Sequence, residues 1–369
     1  MSKPMTYDGS GVRYADLDPF KKLAQLAAAE TAGNIERLDL RDVPESRGES
    51  AYLVDMGGYI IAHVEEGLGT QNLVADALCE QSGNAAYYRA SSIGTIAMIV
   101  NDMITSGALP VSIAMHLAVG DSAWLADDEK VHQVISGWKE GCFLAGCAWG
   151  GGETPVLRDV VYPNTAVWSG SAWGIIRPKK RWIRCTIKDG DAIVLFESSG
   201  IHCNGLTMAR DIAAKLPDGY FTKMDNGVPY GAALLEPTCI YVPLIELLLI
   251  HGVSIHYAVN MTGHGWRKLM RADKDFTYRI HELPPVPEVL RFMVDRGPIA
   301  EREAYKQLNM GAGFAIYVPI EEVNDVIAIA ETCGFKAYHA GTVVFDGGPK
   351  RVVIEPKQIT FTAEDLQIR

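Results

Sequence analysis

The sequence predicts an α/β protein of two domains. Strand-like and helix-like segments alternate along both halves of the chain, which is typical of sheets covered by helices. The 369 residues also exceed the roughly 150 that one domain usually takes. A basic, polar stretch (RPKKRW, 177–182) follows the last strand-like segment of the first half. We therefore predict a boundary there, with domains at 1–178 and 179–369.

Helices in the first half are predicted from periodicity and stop signals. Aliphatic residues recur at helical spacing over 18–30, and a long apolar segment starts at Ser91 and meets Gly107 and Pro110 as stop signals. A further helix, 128–145, runs up to a glycine triplet. The predicted strands of this half are AYLVDM (51–56), YIIAHVEEG (59–67), VSIAMHLAV (111–119) and TAVWSGSAWGII (165–176).

The second half repeats the alternation of strand and helix. A buried strand after residue 189 leads into a Gly-Ser loop and a helix, and a second helix spans 240–251. A strand, a capped helix and a glycine stop follow between 314 and 335. The segment RVVIEP (351–356) is the last predicted strand. Both halves are thus predicted to place strand ends beside glycine loops.

Composition excludes several classes of protein. The net charge of -11 argues against nucleic-acid binding, which depends on clustered Lys and Arg. No apolar run reaches the roughly 20 residues that span a bilayer, and the N-terminus lacks the apolar core of a signal peptide. Seven cysteines without a CxxC pair fit reduced thiols, so we expect a cytoplasmic protein without a membrane partner. Cys142 and Cys147 fit buried thiols better than a zinc site.

Four glycine loops are the candidate functional segments: 65–71, 149–155, 198–205 and 260–266. Glycines allow consecutive amides to approach a phosphate, and a carboxylate beside such a loop suits Mg²⁺. Any one of these loops is more often a simple tight turn. The GxGxxG and P-loop motifs are both missing. Four such loops together nevertheless favour a nucleotide site.

Two side chains stand out from their surroundings. Asp102 interrupts an apolar helix, so its carboxylate must be paired, bound to a metal or turned to solvent. Metal binding and a solvated face fit the pattern equally well. His202 lies in a glycine loop, where a ligand role and a structural role are evenly balanced.

Taken in order, these segments resemble the aminoimidazole ribonucleotide synthetase family, also called phosphoribosylformylglycinamidine cyclo-ligase. The stretch YDGSGVR resembles the family's Y-x-x-(A/S)-G-V-D, and EGLGTQ resembles D-G-V-G-T-K. VNDMITSGALP and GCFLAGCAWGGGET match two longer motifs. SSGIHCNG, LLEPTCIYV, MTGHG and LNMGAGFAIYVP match four more, and RVVIE falls near the end. The matches are collinear from about residue 7 to residue 355.

The resemblance implies both a fold and a reaction. The fold would be an N-terminal half-barrel domain that forms a homodimer, followed by a C-terminal α-β-α domain. The reaction would use ATP and Mg²⁺ to phosphorylate the amide oxygen of formylglycinamidine ribonucleotide. The amidine nitrogen would then close the imidazole ring. Such chemistry depends on positioning and charge neutralisation more than on covalent catalysis.

The resemblance also assigns residues to roles. Glu66 and Asp102 would bind Mg²⁺, and Asp102, His202 and Asn260 would be catalytic. The triplet Gly150 to Gly152 would let the backbone close around phosphates. Residues for ATP and its phosphates would be Gly67, Gly69, Thr70, Gly151, Gly152, Glu153 and Thr154. Those facing the ribonucleotide substrate would be Ser199, Gly200, Asn204, Thr262 and Gly263.

Three positions depart from the family pattern. Glu66 replaces an aspartate, Gln71 replaces a lysine, and Asn260 replaces a histidine, with His264 displaced along the loop. A neutral amide at 71 removes one cation from the phosphates. Restoring it with Gln71→Lys should tighten ATP binding, unless Arg267 or Lys268 already supplies the charge.

Three functions remain open at this point. The first is the cyclo-ligase of purine synthesis, and the second is a paralogue that phosphorylates another amide or acid. Selenophosphate synthetase, thiamine-phosphate kinase and a hydrogenase-maturation protein resemble the same superfamily. The third is a non-catalytic nucleotide-binding protein, which Gln71 favours modestly.

Overall fold

The computed structural model describes residues 5–366 and contains two sheets, one in each half of the chain. The strands of the first are β1 (Arg41–Asp42), β2 (Tyr52–Asp55), β3 (Ile60–Gly67), β4 (Leu109–Val119), β5 (Ala148–Glu153) and β6 (Ala166–Ile176). Its helices are α1 (Tyr14–Glu30), α2 (Gln71–Ser82), α3 (Tyr87–Ile104) and α4 (Asp128–Ala145). The predicted two-domain α/β class is confirmed.

The first sheet is the predicted half-barrel, with strand order β1-β2-β3-β6-β4-β5. One face packs on α3 and α4, and the alternation along β6 shows why. Ala166, Trp168 and Ala172 are buried on that face, whereas Val167 and Trp173 point to the open face and are 50% and 43% exposed. Period-two alternation therefore leaves one apolar surface uncovered.

The second sheet has seven strands in the order β13-β12-β9-β11-β7-β10-β8. They are β7 (Ala192–Glu197), β8 (Tyr257–Asn260), β9 (Thr277–Ile280), β10 (Ala312–Val318), β11 (Ala337–Val344), β12 (Arg351–Ile354) and β13 (Ile359–Thr362). The helices are α5 (Leu206–Ala213), α6 (Tyr230–Leu234), α7 (Val242–Ile250), α8 (Glu288–Arg296), α9 (Glu301–Gln307) and α10 (Val323–Thr332). Along β7, Ile193 and Leu195 enter one buried cluster, and Val194 and Phe196 enter the other. Helices thus cover both faces, as predicted for an α-β-α domain.

The two halves share their buried cores. One cluster joins Leu78 of α2 to Tyr230 of α6, and the other joins Val100 of α3 to Leu244 of α7. The sheets themselves divide the chain between Ile176 and Ala192. The boundary predicted at residue 178 falls in this connection and remains a prediction.

Several predicted elements need correction. The glycine triplet is not a loop after a helix, because α4 ends at Ala145 and the triplet lies inside β5. The helix predicted from Ser91 begins at Tyr87. No helix or strand was predicted from the sequence at the positions of β1, β8, β9, β11, α2, α6, α8 and α9, and RVVIE is followed by one more strand, β13. The four residues of β9 are too few for a pattern to be recognised without the partners β11 and β12.

The described residues contain no helix long and apolar enough to cross a bilayer. None of the seven cysteines, all of which lie within residues 5–366, forms a disulfide.

Candidate active site

A cleft of about 530 Å³ lies between the two domains and under helix α1. The first domain contributes Glu66 at the end of β3 and Asp102 near the end of α3. The second contributes a loop at 262–268, between β8 and β9. Cations and carboxylates both line this cleft, since Lys21, Lys268 and Arg271 face Glu49, Glu66 and Asp102.

The acidic centre of the cleft is formed by Glu66, Asp102 and an amide. Asp102 is 6% exposed, and its Oδ1 accepts a 2.7 Å hydrogen bond from Nδ2 of Asn260, which is 2% exposed. The neighbouring Asn101 points away from the cleft and ties α3 to the second domain by bonding to Cys239 and Tyr241. The apolar helix therefore delivers one carboxylate to the cleft, and the solvated face considered for Asp102 is not observed.

The pKa of Glu66 reflects its burial and the nearby charge of Asp102. Burial first, and then the charge of Asp102, raise the pKa of Glu66 from its usual 4.5 to about 7, against the opposing effect of Lys268. Two carboxylates close together in a partly dry site are a binding position for a cation.

A pH dependence of stability follows from the raised pKa of Glu66. Between pH 4.5 and about 7 the folded protein keeps a proton that the unfolded chain has lost. This carboxyl group therefore stabilises the fold at low pH, and its contribution is lost as the pH rises through about 7. Denaturant unfolding without divalent ions should show this decline, and Glu66→Gln should flatten it. Glu65→Gln, on the exposed face of the same strand, is the control. An identical slope in all three proteins would contradict the assignment.

Lys268 is the cation at the centre of the cleft. It is 7% exposed, and its Nζ donates to the Thr262 hydroxyl and, at 3.3 Å, to the carbonyl oxygen of Asn260. Burial lowers the pKa of Lys268 to about 8, while the charges of Asp102 and Glu66 act in the other direction. At neutral pH the side chain is thus a cation held beside the acid pair.

Gln71 lies elsewhere. It is 1% exposed, its Nε2 donates at 3.1 Å to the carbonyl oxygen of Leu234, and its Oε1 faces the thiol of Cys203. A Cβ on Gly94 would lie 3.0 Å from the same Oε1, so the space around it is filled. Lys268 lines the cleft, whereas Gln71 does not.

We accordingly expect Gln71→Lys to destabilise the protein and to leave its ATP affinity unimproved. An ammonium group would be buried without a carboxylate, and it would leave the Leu234 carbonyl with an altered partner. Thermal unfolding together with ATP titration measures both effects. Gln71→Met, which has a similar volume and no charge, serves as the control. Tighter ATP binding in Gln71→Lys would show that this side chain reaches the cleft.

Three other predicted residues line the cleft: Asn204, Thr262 and Gly263. A Cβ on Gly263 would lie 2.7 Å from the hydroxyl of Tyr14, so a larger residue there would displace the Tyr14 side chain. Gly67, Gly69 and Thr70 form the turn from β3 to α2, directly after Glu66. Gly69 has a φ of +74°, which requires a residue without a side-chain clash.

The structure does not bring the SSGIHCNG loop's histidine into the cleft. His202 is 2% exposed, with a φ of +57°, and its Nε2 accepts a 3.2 Å hydrogen bond from the amide of Ser199. Burial lowers the pKa of His202 to about 4, so the ring is neutral at physiological pH. The Ser199 hydroxyl donates to the carbonyl oxygen of Pro237, and the Gly200 carbonyl accepts from Asn309. In this conformation the loop's polar groups form hydrogen bonds within the loop or with Pro237 and Asn309.

The glycine triplet is explained by strand packing. A Cβ on Gly150 would lie 2.3 Å from the Ser112 hydroxyl, and one on Gly152 would lie 2.2 Å from the Met115 carbonyl oxygen. Both contacts are with β4, the parallel neighbour of β5, and the register shifts between them. Glycine is thus required by the close approach of two strands and by a bulge.

The end of β5 is distant from the acid pair. Glu153 pairs with His116 of β4, which pairs with Ser169 of β6, which pairs with Gly67 of β3. Three strand spacings separate Glu153 from Gly67, or about 14 Å. Gly151, Gly152 and Thr154 instead border a small separate cavity of about 270 Å³ with Met115 and Trp149.

A second interdomain cavity, of about 450 Å³, lies behind the cleft and shares Glu49 with it. Its floor is mainly apolar, with Leu53 and Ala258, and it contains neither Glu66 nor Asp102. Because the acid pair and its cation are in the larger cleft, we place the candidate active site there.

Sequence reasoning missed several residues of the cleft. Tyr14 and Lys21 belong to α1, whose pattern indicated only a helix, and Arg271 bonds to the Gly48 carbonyl and the Ser50 hydroxyl. The basic run in GWRKLMR was a signal for Arg271. For Tyr14 the sequence offered none.

The fold and site define a two-domain α/β protein with an acid pair in its interdomain cleft, and comparisons with known proteins agree. Residues 50–176 match the model for the N-terminal domain of AIR synthase related proteins, and residues 188–354 match the model for their C-terminal domain. The chain belongs to the AIR synthase related family, an enzyme family.

Two curated relatives share one name. A phosphoribosylformylglycinamidine cyclo-ligase of Thermococcus kodakarensis is 34% identical over 324 residues, which cover 88% of this chain and 91% of the relative. The enzyme of the same name from Pyrococcus horikoshii is 33% identical over 318 residues, or 86% and 89% of the two chains. The resemblance predicted from motifs is confirmed.

Solved structures support the fold at lower identity. PurL of T. maritima complexed with FGAR aligns with a TM-score of 0.58 at 17% identity, covering 87% of this chain and 48% of that chain. Thiamine monophosphate kinase of Aquifex aeolicus aligns with a TM-score of 0.55 at 16% identity, covering 82% and 90%.

Proposed function

We propose that this protein is an ATP-dependent cyclo-ligase that converts formylglycinamidine ribonucleotide to aminoimidazole ribonucleotide. The γ-phosphoryl group of ATP is transferred to the amide oxygen, which makes that oxygen a good leaving group. The amidine nitrogen attacks the same carbon and closes the ring, and phosphate leaves. ADP and phosphate are the other products.

One observation carries this proposal: Glu66, Asp102 and Lys268 converge in a cleft between two domains that both match the family. Transfer of a phosphoryl group requires neutralisation of phosphate charge and fixed positions for the reactants. The acid pair can hold a metal ion that neutralises and positions the phosphates, and the buried cation adds a second positive charge. The full-length similarity to cyclo-ligases supports the choice of reaction.

The chemistry of the donor set fits Mg²⁺. No group of three or more His, Cys, Asp and Glu side chains among residues 5–366 could hold a metal. Mg²⁺, however, commonly takes one or two carboxylates and completes its shell with phosphate oxygens and water. Glu66 and Asp102 would hold it, and its charge would bring the pKa of Glu66 back down. The ion would supply neutralisation of the phosphates.

The remaining residues divide between the two substrates. Lys268 faces the phosphates, Asn260 fixes the orientation of Asp102, and Asn204, Thr262 and Gly263 contact the ribonucleotide or its transferred phosphate. Gly67, Gly69 and Thr70 present backbone amides beside Glu66. Catalysis by His202 and substrate contacts from Ser199 and Gly200 remain predictions that require this loop to open.

Nucleotide contacts from the glycine strand also remain predictions. Gly151, Gly152, Glu153 and Thr154 would have to be brought to a nucleotide that extends about three strand spacings from Gly67.

Release of ADP from ATP and Mg²⁺, measured with and without formylglycinamidine ribonucleotide, tests the proposed function. Substrate-dependent ADP together with formation of the imidazole product is the expected result. ATP hydrolysis that ignores this substrate would favour a paralogue with another acceptor. Absence of ATP binding would favour a non-catalytic protein.

We also propose that the protein is a homodimer through its first domain. The open face of the half-barrel exposes Val167 and Trp173, an apolar surface that a second copy would cover. Trp173→Asp should convert the dimer to monomer in sedimentation at micromolar concentration. Phe345→Asp, an exposed aromatic of the second domain (62%), should leave it dimeric. A wild-type protein that sediments as a monomer would refute the proposal.

A further inference from the structure

Helix α1 lies across the cleft but is packed only near its start. Among the described residues of α1, burial is confined to Asp18. Phe20, Leu23 and Leu26 are 74%, 68% and 68% exposed. Phe20 and Lys21 nevertheless line the cleft. Few contacts therefore hold the helix that covers the active site.

The main contact is between Tyr14 and His264. The two rings stack with centroids 3.8 Å apart and planes 28° apart, and the His264 amide donates a 3.1 Å hydrogen bond to the Tyr14 hydroxyl. Gly263 leaves room for that hydroxyl. The start of α1 thus fits a notch in the loop that also carries Thr262 and Lys268.

His264 adopts a conformation that its residue type disfavours. Its φ is +71°, in the left-handed region, where a histidine is strained and a glycine is not. A strained residue persists where its side chain makes compensating contacts. Here the contacts are the stacked ring of Tyr14 and the carboxyl group of Asp18.

The contact with Asp18 is incomplete. His264 Nε2 lies 3.5 Å from Asp18 Oδ2, and neither that nitrogen nor Asp18 Oδ1 has a hydrogen-bond partner. The two residues are 5% and 8% exposed. Buried polar atoms without partners are costly. A shift of α1 by less than an ångström would turn the 3.5 Å contact into a hydrogen bond.

The surrounding charges favour a neutral ring. Burial lowers the pKa of His264 to about 2, and Arg267, Lys268, Lys21 and Arg271 act in the same direction. A neutral imidazole can present an Nε2–H to the Asp18 carboxylate in one of its tautomers.

We propose that His264 is a positioning residue that latches α1 over the cleft, stacking on Tyr14 and bonding to Asp18 as the helix closes. Closure holds Lys21, which lies 3.8 Å from Asp18, over the bound ligand. The identity of that ligand as ATP rests on the proposed function, whereas the latch itself does not.

Amide hydrogen exchange across α1 in the nucleotide-free protein tests the latch. His264→Gly relieves the left-handed strain but removes the ring, so exchange within residues 15–30 should rise by about tenfold, as expected for loss of a contact of hydrogen-bond strength. Gln358→Gly is the matched control, because Gln358 also has a positive φ (54°) but lies between β12 and β13 and does not line the cleft. Unchanged exchange of α1 in His264→Gly would overturn the proposal.

A second variant and a second readout separate the latch from a general loss of stability. Tyr14→Leu should loosen α1 as much as His264→Gly, and the double variant should add little, because both act on one contact. Binding of the ATP analogue AMPPCP should weaken by about tenfold in either variant, because the loosened helix no longer holds Lys21 over the ligand. If the increases in amide exchange of α1 were additive in the double variant, Tyr14 and His264 would not act on one shared contact. If AMPPCP does not bind the wild type while His264→Gly still loosens α1, the proposed function fails and the latch stands.

Discussion

Replacing Asp102 with asparagine is expected to lower turnover by at least about a hundredfold, a loss of some 3 kcal/mol of transition-state stabilisation. The substitution removes one of two carboxylates that would hold Mg²⁺. It also places an amide opposite the Nδ2 donor of Asn260, which now bonds to Asp102 Oδ1. The steady-state rate of ADP release at saturating Mg²⁺ measures the effect.

The fold should survive this change. Asp102 and Glu66 repel each other in the metal-free protein, so removal of one charge relieves the crowding that raises the pKa of Glu66. Without Mg²⁺, thermal unfolding should therefore show no loss of stability and sedimentation should match the wild type, and Glu65→Gln is a control for loss of an acid from the same region. A variant that retains more than about a tenth of the wild-type rate would exclude the metal role.

Replacing Lys268 with methionine is expected to cost turnover on a similar scale, about a hundredfold or more, since a buried cation aimed at phosphates acts with little screening. Methionine fills similar space without a charge. The acid pair then loses its counter-charge, so the metal-free protein should also lose stability, and Mg²⁺ should restore it. ATP affinity, turnover and unfolding with and without Mg²⁺ are the measurements.

Lys274→Met is the matched control, because Lys274 lies six residues further on at the exposed rim of the second cavity. It should alter neither ATP affinity nor turnover. Equal ATP affinity and turnover in the two variants would mean that Lys268 does not act on the nucleotide. If Gln71→Lys gained ATP affinity and Lys268→Met lost none, the cation that faces the phosphates would be assigned to position 71.

The class of fold was predicted from local patterns, whereas the acid pair was predicted from the motifs that resemble the family. Strand and helix periodicity is local, and an acid inside an apolar helix is conspicuous at Asp102. The partners of a side chain are not local. Gln71 lies in a motif that suggested the cleft, yet packing of α2 against α6 turns it inward.

The glycine triplet also shows that contacts between strands cannot be read from a single sequence. Composition suggested a phosphate loop, whereas the requirement for glycine comes from Ser112 and Met115 of a neighbouring strand. That contact becomes visible only when β4 and β5 are paired. Tyr14 and His264 likewise meet across 250 residues, a separation that single-sequence patterns do not bridge.

The strand order of the first sheet sets the timing of its folding during synthesis. Strand β6 lies between β3 and β4, so Ile60 finds its partner Ile176 only after 116 further residues (176 minus 60). Until then β3 and β4 each present an unpaired edge, because α3 and α4 pack on a face of the sheet and do not cover its edges. Such long-range pairing slows folding and exposes intermediates to aggregation. The half-barrel therefore stays open to aggregation on the ribosome until β6 has been synthesised.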